Sequence, residues 1–227
     1  MCPSMSWELE RIAELASFHR DNPESRFYGF PNNQDLDIPQ VYEKFCELEN
    51  DLGCLSSEAW KVLLHEASEL AILTSDLRGW NQLFEKLNEA KGYRYLVDMG
   101  CTKIDFVPRA VNSGIETPDL GARLDQRQVW CEVKTINRSN DYYNRVRNRK
   151  ATDTPTTLDT GMITKVEKTL TKALQQLDSL GTKDDLRITY LIANYDYFHD
   201  YVANYNSQIR KMFTHLGGQQ LELYIST

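Results

Sequence analysis

The chain has 227 residues, 41% of them hydrophobic and 26% charged, which suits a globular domain whose core needs no disulfide frame or structural zinc. Five scattered cysteines without a C-x-x-C pair read as free thiols in a reducing cytoplasm. The opening MCPSMSWELERIAEL has no signal-peptide pattern, and no stretch approaches the ~18 apolar residues of a membrane span. The net charge of −7 opposes nucleic-acid binding at first sight, yet residues 138–150 carry five basic side chains against one Asp, and a polyanion responds to charge within roughly a Debye length, ~8–10 Å.

The first 90 residues are expected to be helical, over roughly 6–19, 39–51, 57–73 and 76–91. In the third helix Ala59, Trp60, Leu63, Ala67 and Leu70 recur at i, i+3, i+4 spacing, with Ser56 or Ser57 available as N-cap. The fourth aligns Leu77, Trp80, Leu83, Phe84, Leu87 and Ala90 and is expected to stop at Gly92. The period then shortens. Tyr93–Val97 and Lys103–Val107 have strand composition, and Leu120–Leu124 and Gln128–Ile136 flank the polar Asp125-Gln126-Arg127 as a hairpin would. Residues 137–160 are polar and predict a long loop. A helix is expected over about 161–179 on the stripe Ile163, Val166, Leu170, Ala173, Leu174 and Leu177. A buried strand follows at Leu186–Tyr195, then a helix at Tyr201–Leu216 and a last strand at Leu221–Ile225. This order predicts an α/β domain with a mixed sheet.

The chemistry is concentrated in Pro118-Asp119, twelve intervening residues, and Glu132-Val133-Lys134. Alternation on the second hairpin strand puts Trp130, Glu132 and Lys134 on one face and Val129, Cys131 and Val133 on the other. A two-residue turn at 125–126 places Asp119 opposite Glu132, and one at 126–127 places it opposite Lys134. Either register gathers the three charges on one face, with Cβ atoms ~4.5–5.5 Å apart directly and ~7–8 Å diagonally. A three-residue turn would pair Asp119 with Val133 instead. Two carboxylates so close repel unless a cation lies between them, and one or two carboxylates with waters suit Mg²⁺ or Mn²⁺. A neighbouring lysine can stabilise charge growing on a phosphorus-bound oxygen or hold an attacking water. The combination is suited to phosphodiester hydrolysis. The bland alternative is a surface hairpin with a cross-strand salt bridge.

The run ETPDLGARLDQRQVWCEVKTI resembles the PD-(D/E)xK motif of the restriction-endonuclease-like superfamily. Residues from roughly 60 to 195 can be laid over such a core; the first 55 cannot. The resemblance implies a restriction-endonuclease-like α/β core with a central mixed β-sheet flanked by helices over 56–227, and an N-terminal helical extension over 1–55. It implies Asp119 and Glu132 as metal ligands, the Val133 carbonyl as a further one, Lys134 as catalytic, and Mg²⁺ or Mn²⁺ as cofactor. Many members add an acid from a helix before the sheet. Glu66 is the choice here, falling between Val62, Leu63, Leu70 and Leu73 on its helix, although a pairing with a lysine explains it equally well. Glu85 lies on the polar side of its helix. Gln176, at the edge of its apolar stripe, is a candidate for the polar residue that the helix after the motif often carries.

The implied partner is DNA, with RNA and a homodimeric state left open and no membrane. Arg138, Arg145, Arg147, Arg149 and Lys150 could follow a phosphate backbone, with stacking from Tyr142 and Tyr143. His199-Asp200 lacks the companion histidines of a metal phosphohydrolase, and His65 and His215 also stand without partners. The expected activity is divalent-metal-dependent DNA hydrolysis. Its rival is a non-enzymatic nucleic-acid- or protein-binding module on the same scaffold, since fold does not fix function.

Overall fold

The computed structural model describes residues 9–32, 34–72, 78–108, 116–137, 156–194 and 201–225. The chain forms two compact units, Met1–Gly100 and Cys101–Thr227. This is a division by packing; the boundary at 55/56 was one of likeness to a family.

The described part of the first unit is built of helices: α1 (Glu10–Ser17), α2 (Pro39–Gly53), α3 (Ser57–Leu70), α4 (Arg78–Leu87) and α5 (Glu89–Asp98). Leu9, the N-cap of α1, has no side-chain oxygen to offer the first turn. Glu49 of α2 supplies one, accepting from the backbone N–H groups of Arg11 at 2.8 Å and Ile12 at 2.9 Å. Ser56 caps α3 by accepting from the Ala59 N–H at 3.1 Å. The stripe that α3 buries is Ala59, Trp60, Leu63, Leu64 and Ala67. Val62, expected inside the apolar sector, is 46% exposed.

One expected strand is a helix. Tyr93–Val97 lies within α5, where Ala90, Tyr93 and Leu96 recur every three residues on the buried side while Val97 faces outward. Two aromatic rings and a valine carry strand propensity, but tertiary burial of a 3.6-residue stripe overrides it. Gly92 does not end a helix; it is a buried position inside α5. The chain leaves α5 at Gly100, whose φ of 80° is the left-handed conformation that glycine adopts without steric cost.

The second unit holds a five-stranded mixed sheet in sequential order, β1 (Thr102–Phe106), β2 (Leu120–Leu124), β3 (Arg127–Ile136), β4 (Leu186–Ala193) and β5 (Gln220–Ile225). β1, β2 and β3 form an antiparallel meander; β4 runs parallel to β3, and β5 parallel to β4. Parallel neighbours need a crossover, and α6 (Thr160–Leu180) and α7 (Val202–His215) provide the two. Asp159 starts α6 by accepting from the Met162 N–H at 2.8 Å. Val166 and Leu170 of α6 join Tyr205, Ile209 and Phe213 of α7 in one apolar cluster with Ile136, Leu191, Ala193 and Leu221 of the sheet. By alternation, Ile136 shares its face with Glu132 and Lys134, so the face carrying these charges is the one the crossover helices cover. The opposite face, with Val129, Cys131, Val133, Ile188, Tyr190 and Ile192, is buried as well.

Candidate functional site

The β2–β3 hairpin sets the site. Leu124 pairs with Arg127 and Leu120 with Cys131, so the turn holds two residues, 125 and 126, and Asp119 enters the hairpin beside Glu132. Asp125 takes a φ of 53°, a left-handed turn conformation that a short polar side chain tolerates. Gly121 stands opposite Trp130, and a Cβ there would come within 3.0 Å of the indole ring. The missing side chain leaves room for the edge of the Trp130 ring over β2, while its Nε1–H donates to Asp185 Oδ2, just before β4, at 3.1 Å.

Backbone N–H groups hold both carboxylates at the strand end. The Asp119 N–H donates to Glu132 Oε2 at 3.0 Å, and the Val133 N–H donates to Asp119 Oδ2 at 2.9 Å. The Asp119 carbonyl accepts from the Val107 N–H at 2.9 Å, which ties the same residue to the end of β1. Lys134 Nζ donates to Glu132 Oε1 in an ion pair. Asp119 is half-buried, and Glu132 is entirely buried, at 0% exposure; the Lys134 side chain keeps 21%. The structure thus brings together three of the expected site residues, with the Val133 backbone between them.

Burial pushes the Glu132 carboxyl well above the ordinary carboxylate range, and the charge of Asp119 pushes the same way; Lys134 and the Asp119 N–H pull against them. Burial also pushes the Cys131 thiol well up, with Asp119 and Glu132 adding to it, so this cysteine is an inert core residue rather than a nucleophile. Among the described residues no group of three or more His, Cys, Asp or Glu gathers to hold a metal. The donors that the described residues offer here are the carboxylates of Asp119 and Glu132.

Gln176 is buried on α6, and its Nε2 donates to the Thr117 carbonyl at 3.1 Å, two residues before Asp119. Its Oε1 is buried with no hydrogen-bond partner among the described residues. Glu66, in the first unit, pairs at 2.6 Å with the buried Lys86, which pairs equally closely with Glu89. Burial alone would lower the Lys86 pKa; Glu89 and Glu66 outweigh it and raise it. Sequence reasoning named Glu66 without its partner, although a lysine three residues before Glu89 in the next helices was available as one. It also missed Thr189, which stands in register with Glu132 on β4. The signal was one hydroxyl within the run Ile188-Thr189-Tyr190-Leu191. His65 and His215 are exposed. Arg138, Tyr142, Tyr143, Arg145, Arg147, Arg149, Lys150, His199 and Asp200 lie outside the described residues. No helix among the described residues is long and apolar enough to cross a membrane.

No protein-family model matches this chain, and no match was found among curated proteins or solved structures.

Proposed function

We propose that the protein is a divalent-metal-dependent nuclease that hydrolyses DNA phosphodiester bonds, with Asp119, Glu132 and Lys134 at its chemical centre. The observation that carries this reading is the placement of the Asp119 and Glu132 carboxylates side by side at the hairpin, Glu132 accepting from the Asp119 N–H and Asp119 from the Val133 N–H, with Lys134 paired to Glu132. The meander followed by a parallel crossover supports it, because the resemblance noted in the sequence implies a mixed sheet of this kind.

In this reading the carboxylates of Asp119 and Glu132 hold Mg²⁺ or Mn²⁺, and the Val133 carbonyl is the third donor that the resemblance implies. The bound cation lowers the pKa of water and polarises the phosphate. Burial of Glu132 removes competing solvent from one side of the site and strengthens every charge interaction there. Lys134, whose side chain keeps 21% exposure, exchanges its carboxylate for a phosphate oxygen and stabilises the negative charge that grows on it during attack. Arg138, Arg145, Arg147, Arg149 and Lys150 supply phosphate contacts along the strand. Glu66 enters only as the helix-borne acid of the resemblance, and its bond to Lys86 supports a structural role instead.

Incubation of the purified protein with plasmid DNA tests the reading. Nicking or cutting is expected with Mg²⁺ or Mn²⁺, with none in chelator and at least a 10²-fold lower rate for Asp119→Ala and Glu132→Ala. Wild-type rates in both variants would remove the site. Metal-independent binding without cleavage would favour the non-enzymatic module.

A further inference from the structure

Thr189 lies on β4 directly beside Glu132 of β3, in a parallel pair. Adjacent strands are about 4.7–4.9 Å apart, and residues in register project to the same side. That side is the covered one: Leu191 and Ala193 follow Thr189 on it, and Leu221 of β5 flanks it in register. Thr189 is 0% exposed, and its Oγ1 has no hydrogen-bond partner among the described residues. A buried hydroxyl left without a partner costs about 1–3 kcal/mol. Valine would fill the same volume on the same β-branched backbone without that cost, so packing gives no reason for the oxygen.

Glu132 gives one. Among the described residues each of its two oxygens takes one donor, Lys134 Nζ on Oε1 and the Asp119 N–H on Oε2. Once Lys134 serves a phosphate, Oε1 loses its donor while still inside an apolar surround. A lysine that stayed would hold a positive charge against the cation that Glu132 is to bind. A hydroxyl is neutral, and its χ1 has staggered wells to choose from. It can orient the carboxylate without opposing the cation. We infer that Thr189 is the positioning residue for Glu132, donating its hydroxyl to the carboxylate when Lys134 leaves it. This rests on the metal-dependent reading above.

The test is calorimetric titration of wild type, Thr189→Val and Thr189→Ser with Mn²⁺, beside thermal melting of each in chelator. Thr189→Val should bind Mn²⁺ about 10–100-fold more weakly, the usual effect of removing a group that orients a ligand. It should melt in chelator at the wild-type temperature or higher, because it loses an unsatisfied hydroxyl. Thr189→Ser should restore most of the affinity. Wild-type affinity in Thr189→Val would overturn the inference and leave the metal site standing. So would equal weakening in both variants with lower melting temperatures, which marks a packing role. A wild-type protein that binds no Mn²⁺ would overturn the metal reading itself.

Discussion

Glu132 and Lys134 are two residues apart on one strand, yet burial separates their roles. Glu132 is wholly enclosed, and its pKa stands above the ordinary 4.5 mainly through desolvation, then through Asp119. A carboxyl whose pKa is higher folded than unfolded binds its proton more tightly in the native state. It therefore supports the fold in acid and subtracts stability as pH rises from the ordinary carboxylate value towards the folded one. Glu132→Gln should melt higher than wild type in chelator near neutral pH, by roughly 2–4 °C if the gain is ~1 kcal/mol, with the gap closing as pH falls towards 4.5. A gap that widens in acid would mean that Lys134 favours the carboxylate more than burial penalises it. The same variant should bind Mn²⁺ more weakly, whereas Lys134→Met should bind it as tightly or more tightly, because a like charge is gone. Catalysis should fall in both, for Lys134→Met on the order of 10²–10³-fold in single-turnover cleavage. Loss of metal in Lys134→Met with retention in Glu132→Gln would reverse the two roles. Asp119 and Glu132 were legible as a shared face because alternation with either two-residue turn puts them there, and the observed register takes the turn at 125–126. Thr189 was not, since its partner is fixed by a parallel pairing across a helix, which no local pattern encodes.

At the scale of elements the hairpin is the part that local chemistry dictates. Two strands of period two around a polar tripeptide leave few registers, and the observed one puts Leu120 against Cys131. Its weak point is Gly121, where a methyl group would meet the Trp130 ring at 3.0 Å. Either the indole shifts, which strains its bond to Asp185, or β2 moves away from β3. Gly121→Ala should therefore destabilise the protein by ~1–3 kcal/mol, the usual cost of overpacking. Chemical denaturation measures this directly, and an unchanged midpoint would show that Trp130 moves freely. The segment Tyr93–Val97 illustrates where local signals fail. Its residues suit a strand, but Ala90, Tyr93 and Leu96 bury together only on a helix, and the choice between periods was made by the rest of the first unit. Gly92 was likewise read as a helix end, but it lies inside α5, and the left-handed conformation falls at Gly100.

For the whole molecule, charge is the quantity that a DNA-acting reading must answer to. The chain carries −7, and an acidic protein repels a polyanion at distances beyond a Debye length unless salt screens it. Binding then depends on a local cationic surface, and the densest basic stretch is residues 138–150, between β3, which ends at Ile136, and α6, which begins at Thr160. If Arg145, Arg147, Arg149 and Lys150 neutralise phosphates, each contact releases counterions and steepens the fall of affinity with salt, by about 0.9 in a log–log plot for duplex DNA. Replacing all four by Ser should weaken binding and flatten that slope by up to about 3–4. The measurement is fluorescence anisotropy of a labelled duplex in chelator, repeated from low to moderate salt, so that cleavage plays no part. Arg→Lys replacements at the three arginine positions should keep most of the slope, because counterion release counts charge rather than guanidinium geometry. A slope unchanged by the Ser variant would place the phosphate contacts elsewhere on the chain. A slope lost equally in the Ser and Lys variants would mean that the stretch acts through its fold rather than its charge.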